Sequence, residues 1–332
     1  MLDWSPLVAF VQRHHRFLLT THTRPDADGL GSVQAVAEAL ESLGKTVHRV
    51  VPSRIPPRYE FIDPKRQIEV FSGVNERLLA SDAIMVLDTG TWNQLADVGA
   101  VLKAGRAEIV VVDHHRTQDD LGAQRFVDVT AEATGRLACE IIDALELKLT
   151  PTMADNLFAA LAMDTGWFRH SSTTPYTFAL AGRLVAAGAR PTPLYDELFE
   201  KNSLPRLLLT GRVLQRLATR ADGRVVWSEV YLSDYEATGA VPPDTEDLVN
   251  YPRSLMGSDI GLLFIEQRDG TVKVSFRARR ADVAKLAEQF GGGGHRLASG
   301  ATLPGPLAVA RERVLDAAVL ASNESSPASG VA

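Results

Sequence analysis

The chain has a single cysteine, Cys139, among 332 residues. No disulfide can form within it, so the expected setting is a reducing one, the cytoplasm. It has no excess of basic residues: 35 Lys and Arg against 41 Asp and Glu leave a net charge of −6. Sequence-blind binding to long duplex nucleic acid needs a basic footprint, and that class of partner is excluded. Small anionic ligands need only a local positive site. No run reaches the ~18 apolar residues of a membrane helix, and residues 1–16 lack the basic-then-apolar layout of a signal peptide. A membrane partner is therefore not expected. There is no internal repeat, and the low-complexity residues are confined to 322–332, which read as a loose tail.

Hydrophobic residues make up 45% and charged residues 23%, as in an ordinary globular chain. At ~150 residues per domain the length suggests two domains. In the first half, strand-like and helix-like segments alternate. Phe17–Thr21, Thr46–Val51, Ala83–Leu87 and Ile109–Val112 are strand candidates. The last two are unbroken apolar runs, as in a parallel sheet covered on both faces. Val33, Val36, Leu40 and Leu43 mark one helix face, and Gly44 stands where a C-cap glycine belongs. Helices are expected over 137–145, 151–163 and 177–187, and another from about Pro193 into 204–217. The second half reads as a smaller α+β domain. Its strands are expected at 225–232 and 261–266, and at 272–277, where Lys273, Ser275 and Arg277 share one face. A helix over 281–290 is expected to close at Gly291–Gly294. The fold class is α/β, with a parallel-sheet domain over 1–187 whose helices cover both faces, a connector over 188–212, an α+β domain over 213–320 and a tail over 321–332.

Four segments carry carboxylates and imidazoles just after apolar runs: His22-Thr-Arg-Pro-Asp26-Ala-Asp28-Gly29, Asp88-Thr-Gly90, Asp113-His114-His115 and Asp164-Thr-Gly166. Three follow strands, and ligands of parallel sheets bind beyond the strands' carboxyl ends. A single Asp after a strand is commonly a turn former or helix cap. Four such clusters in corresponding places are not explained that way. His22, Asp26, Asp28, Asp88, His114 and Asp164 form an oxygen-rich set with a minority of imidazole, which suits Mn²⁺ or Mg²⁺. Its carboxylates would repel one another without cations. Two ions about 3.5–4 Å apart, sharing one carboxylate, would use all six groups.

In this order, the segments resemble the four motifs of the DHH phosphoesterases, and Gly291-Gly-Gly-Gly294-His295 resembles the signature of the DHHA1 domain that follows them. The likeness runs from about Phe17 to Thr302 and is nearest to the bacterial nanoRNase / pAp-phosphatase group. It implies two Mn²⁺ ions, with Mg²⁺ or Co²⁺ as substitutes. His22 and Asp26 would hold the first; Asp28, His114 and Asp164 the second; Asp88 would bridge them. His115 would face the scissile phosphate as donor or acid. Asp113 would stand behind an imidazole. In the second domain, Gly292, Gly293 and Gly294 would let backbone approach the substrate, beside His295, Ser275 and a phosphate-clamping Arg277. Arg169, near Asp164, is a further phosphate candidate.

The resemblance implies hydrolysis of short oligoribonucleotides from the 3′ end, of 3′-phosphoadenosine 5′-phosphate to AMP, or of both. Cyclic di-AMP or its linear product pApA stays open as an alternative substrate. A nucleotide-sensing module is the alternative from another class. The expected partner is short RNA or a small nucleotide, with a homodimer left open. Two departures from the family pattern bear on substrate preference: Ala278 stands after Arg277 where Ser is usual, and Ser299 stands where Ala is common.

Overall fold

A computed structural model describes residues 2–324, which form two compact units, one up to Lys201 and one from Asn202 onward. Of the tail expected over 321–332, the first four residues belong to a helix ending at Glu324, and 325–332 lie outside the described residues.

The first unit is built on strands β1 (Arg16–Thr20), β2 (Thr46–Val51), β3 (Ile68–Val70), β4 (Ala83–Leu87), β5 (Glu108–Asp113) and β6 (Gln124–Val127). They pair in the order β3-β2-β1-β4-β5-β6, every pair parallel. The chain moves outward from β1 to β3 and then returns to start β4 on the other side of β1. That reversal opens a crevice beyond the carboxyl ends of β1 and β4. Phe17, Leu19, Met85, Leu87, Val110 and Val112 point into one apolar layer. Leu18, Ile84, Val86 and Val111 point into the other, against Leu95, Val98, Val101 and Leu102. The alternation by twos explains why these strands read as unbroken apolar runs.

Helices α1 (Ser5–Arg13), α2 (Ala27–Ser42), α3 (Thr134–Ala144), α4 (Pro151–Asp164) and α5 (Pro175–Ala186) contribute to the first layer. Helix α2 is buried almost all round rather than along one face, and Leu43, expected on that face, is an exposed C-cap. Small residues make this possible: a Cβ on Gly31 would lie 2.4 Å from the backbone oxygen of Asn156 in α4. Gly44 ends the helix at φ +76°, with its N–H donating to the Glu41 carbonyl and that of Lys45 to Leu40.

The second unit has strands β7 (Ala218–Arg220), β8 (Val225–Val230), β9 (Ile260–Glu266), β10 (Thr271–Ala278), β11 (Gly293–His295) and β12 (Ala298–Pro304). The order is β11-β12-β10-β9-β8-β7, with β8 and β9 parallel and the other pairs antiparallel. Val272, Val274, Phe276 and Ala278 face a core shared with helices α7 (Val283–Glu288) and α8 (Leu307–Glu324).

Three sequence expectations change. The helix expected from Pro193 onward is interrupted, because Ser203 caps a fresh helix α6 (Leu204–Gln215) that has Pro205 in its first turn. The helix expected over 281–290 shrinks to α7, whose start is set by the Asp282 side chain accepting from Lys285 N. Of Gly291–Gly294, expected to close that helix, Gly293 and Gly294 enter β11, which pairs with β12.

Two glycine substitutions in the first unit test the packing. Gly31→Ala forces backbone apart and is expected to cost about 1–3 kcal/mol. Gly182→Ala, on α5 with open space around it, is expected to add about 0.5–1 kcal/mol. Thermal denaturation of both variants reads the signs, and equal shifts would refute the close α2–α4 contact.

Candidate metal centre

The centre is assembled at the carboxyl ends of β1, β4 and β5 and the last residue of α4. Asp26 caps α2, its Oδ1 accepting from Asp28 N at 2.9 Å and Gly29 N at 3.2 Å. Two residues on, Asp28 is fully buried and meets the start of α3: Thr134 N donates to Oδ2 at 2.7 Å and Gly135 N to Oδ1 at 2.8 Å. Free N–H groups at a helix start suit a carboxylate. Asp88 leaves β4 with φ +65°, a left-handed conformation that costs strain in any residue but Gly. Its N–H donates to the Val112 carbonyl at 3.0 Å, and Thr134 Oγ1 donates to its Oδ1 at 2.9 Å.

Both imidazoles are held by their Nδ1. His22 Nδ1–H donates to the Thr23 carbonyl at 2.9 Å, and His114 Nδ1–H to the Ala131 carbonyl at 3.1 Å. Nε2 of each is thereby left to face carboxylates. His22 Nε2 is 3.4 Å from Asp88 Oδ2 and 3.7 Å from Asp26 Oδ1. His114 Nε2 is 3.2 Å from Asp164 Oδ2, 3.5 Å from Asp88 Oδ1 and 3.7 Å from Asp28 Oδ2, and it is buried with no hydrogen-bond partner. A lone pair fixed by a backbone acceptor on the far nitrogen is the arrangement of a metal-binding imidazole.

Ligand atoms close enough to share an ion occur as His22, Asp26 and Asp88, as Asp28, His114 and Asp164, and as Asp88, His114 and His115. The two oxygens of Asp88 face different imidazoles, so one carboxylate touches both of the first two groups.

Protons stand in where cations are wanted. Burial opposes charge on His22, yet Asp26 and Asp88 push it up to about 11. Burial likewise opposes charge on His114, but Asp164, Asp88 and Asp28 push it up to about 12. Burial, with the charges of Asp88 and Asp164, drives Asp28 well above the usual carboxylate range. Burial pushes Asp164 up to about 6 against the opposing pull of His114. Asp88, against the effect of burial, is held low by His114 and His22.

His115 stands apart from His114. Its side chain is 39% exposed against 13%, and its Nδ1–H donates to Asp113 Oδ1 at 2.8 Å. The fully buried Asp113 also accepts from the N–H groups of His114 and His115 at 2.8 and 3.1 Å. Asp113 therefore stands behind His115, raising its basicity. Arg169 is exposed, on a loop that leaves α4 through Gly166, Trp167 and Phe168, all at positive φ. Aromatic packing holds that turn: Trp167 lies against Phe158, Tyr195 and Phe199, and Phe168 stacks on Phe178.

In the second unit, the register lines up the sequence candidates on one face. Ser275 lies opposite Gly300, which lies opposite Gly293; Arg277 lies opposite Ala298, which lies opposite His295. Arg277 is half-buried, and burial draws its pKa down. A Cβ on Gly292 would lie 2.2 Å from the Gly300 oxygen, and one on Gly294 2.7 Å from the Ala298 oxygen. Both are thus required by the close approach of β12, whereas Gly293 has open space. The two departures from the family pattern pack inward. Ala278 is buried in the core, and Ser299 Oγ donates to the Val283 carbonyl at 2.6 Å.

Thr134 and Gly135 went unread in the sequence. A Thr-Gly pair opening an amphipathic helix is the signal that could have pointed to an anion at its N-terminus.

The DHH family N-terminal domain matches residues 16–163 and the DHHA1 domain residues 228–322. The bifunctional oligoribonuclease and PAP phosphatase NrnA of Thermus thermophilus is 33% identical over 302 residues, 90% of this chain and 88% of that protein. Its Bacillus subtilis namesake is 25% identical, over 90% and 93% of the two chains. The crystal structure of an exopolyphosphatase-related protein from Bacteroides fragilis superposes with a TM-score of 0.88 at 21% identity, over 96% of this chain and 95% of that one, a likeness of fold.

The raised imidazoles set a pH dependence for chelator-treated protein. His22 and His114 bind protons more tightly folded than unfolded. Their contribution is full below the ordinary imidazole value of 6.5 and is lost as pH rises toward about 11 and 12. Asp164, raised to about 6, acts in the same direction at lower pH. Tm without divalent cations should therefore fall from about pH 6.5 to about pH 9. The slope should flatten in His114→Asn. An unchanged slope in that variant would show that the cluster does not set it.

Proposed function

Because the chain belongs to the DHH phosphoesterases, in the group of the bifunctional oligoribonuclease and PAP phosphatases, it is a hydrolase of phosphate esters, and we propose that it acts on short oligoribonucleotides and on 3′-phosphoadenosine 5′-phosphate. The observation that supports this best is the pair of imidazoles whose Nε2 atoms converge on opposite oxygens of Asp88. In this reading His22 and Asp26 would hold one divalent cation, Asp28, His114 and Asp164 would hold a second, and Asp88 would serve both sites. Mn²⁺ suits the donor set, with Mg²⁺ or Co²⁺ as substitutes. When bound, the cations supply Lewis acidity toward the phosphoryl group and a water of lowered pKa.

The chain's own residues do the rest. Thr134 fixes the Asp88 carboxylate, and the N–H groups of Thr134 and Gly135 fix Asp28. His115, oriented by Asp113, donates to an oxygen of the scissile phosphate as negative charge grows there. Arg169, on the exposed turn that follows Asp164, is the further candidate for a phosphate. In the second unit, Arg277 is the phosphate-clamping residue. Ser275 and His295 share its face, and Gly293, flanked by Gly292 and Gly294, lets backbone approach. An acidic chain that reads a short substrate this way has no need of a long basic track.

The deciding assay compares kcat/KM of the Mn²⁺-loaded protein on a diribonucleotide, 3′-phosphoadenosine 5′-phosphate, cyclic di-AMP and pyrophosphate. The first two should be turned over fastest. Preference for pyrophosphate, or binding of nucleotide without turnover, would overturn the reading.

Metal analysis should find two Mn²⁺ per chain, and Asp88→Ala should lose both. Full activity in Asp88→Ala would refute a shared carboxylate. Because the imidazoles must give up their protons to bind a cation, Mn²⁺ affinity should rise with pH and calorimetry should detect proton release.

The two neighbouring histidines should separate. His115→Ala should keep both ions and lose kcat by about 10²–10³-fold, while His114→Ala should lose one ion. Identical metal contents in the two variants would show that the division of roles is wrong.

A further inference from the structure

We propose that Gln118 is a positioning residue: its side-chain amide locks the Asp113 carboxylate, and through it the His115 ring, in the orientation catalysis requires. This rests on the role given to His115 above. Asp113 Oδ1 accepts from His115 Nδ1 and from the N–H groups of His114 and His115. Oδ2 needs a donor of its own, and Gln118 Nε2 supplies it at 2.6 Å. The same Nε2 donates to the His115 carbonyl at 3.1 Å, so one amide grips both the carboxylate and the backbone of the residue it orients. A neutral donor suits this place. It satisfies the buried carboxylate without adding a positive charge that would compete with His115 for it.

The arrangement is kept at a cost. Gln118 Oε1 is buried without a hydrogen-bond partner. A buried acceptor left unpaired is unfavourable, and such groups in folded proteins call for a reason. The backbone is also shaped around this side chain. A Cβ on Gly90 would lie 1.8 Å from Oε1, so Gln118 fits because residue 90 has no side chain. The two loops are tied there by Asp119 N donating to the Gly90 carbonyl at 2.8 Å and Trp92 N donating to Asp119 Oδ2 at 2.9 Å. The loop after β4, which carries Asp88, thus sets where Gln118 sits, and Gln118 sets Asp113.

The test is a double-variant cycle on the Mn²⁺-loaded protein with a diribonucleotide substrate. Gln118→Met keeps the length of the side chain and removes the donor. It should lower kcat by roughly 10–100-fold, the usual effect of removing a group behind a functional imidazole. KM and bound metal should stay at wild-type values, whereas Tm should fall, because the buried Asp113 Oδ2 loses its donor. In a His115→Ala background, Gln118→Met should cost less than about twofold, because the ring it positions is gone. The same fold loss in both backgrounds would overturn the proposal. So would wild-type kcat in Gln118→Met, or a kcat loss that tracks a fall in metal content. A wild-type chain inactive on every nucleotide would instead mark failure of the proposed function. Turnover that needs His115 but not Gln118 would sink this inference alone.

Discussion

Asp28 and Asp88 are buried carboxylates within 4 Å of the His114 imidazole, with Asp164 closing the same group. Negative charges so close repel one another steeply in a medium of low dielectric. The rest of the first unit answers that repulsion. The start of α3 lends its N–H groups to Asp28, Thr134 fixes Asp88, and two imidazoles carry the compensating positive charge. Each device is local and modest. Together they hold a cluster that a divalent cation would satisfy more fully than a proton.

Topology makes the cluster affordable. The crevice lies where the strand order reverses, so the ends of β1 and β4 are neighbours in the sheet while their following loops diverge. Backbone strain is spent at the same place. Asp88 and the Trp167–Phe168 turn are left-handed, and each is over-determined by its surroundings, the first by a β5 carbonyl and the second by a cluster of aromatic rings.

The sheet of the first unit was legible because its strands are apolar on both faces, and the ligand segments were legible because each follows such a run. What stayed hidden lacks a local signature. β3 and β6 are short edge strands with exposed residues. The all-round burial of α2 follows from Gly and Ala, which periodicity does not weigh. Thr134 acts on Asp28 across 106 residues, and nothing near it announces a partner. In the second unit, the alternation of Lys273, Ser275 and Arg277 gave the strand face. The pairing of β11 was missed because three residues, two of them glycine, carry no strand propensity.

The scatter of the cluster along the chain governs its order of assembly during synthesis, when N-terminal segments fold first. His22, Asp26 and Asp88 are all present once β4 has left the ribosome, whereas Asp28 and His114 wait for Asp164 at the end of α4. A nascent chain stopped before α4 lacks Asp164 alone of the six candidate ligands, with Asp28 denied its closing neighbour and α2 denied the helix that packs over Gly31. Helix packing and the closing of the Asp28, His114 and Asp164 group are thus completed by the same element, and the cluster's completion is tied to the emergence of a single helix.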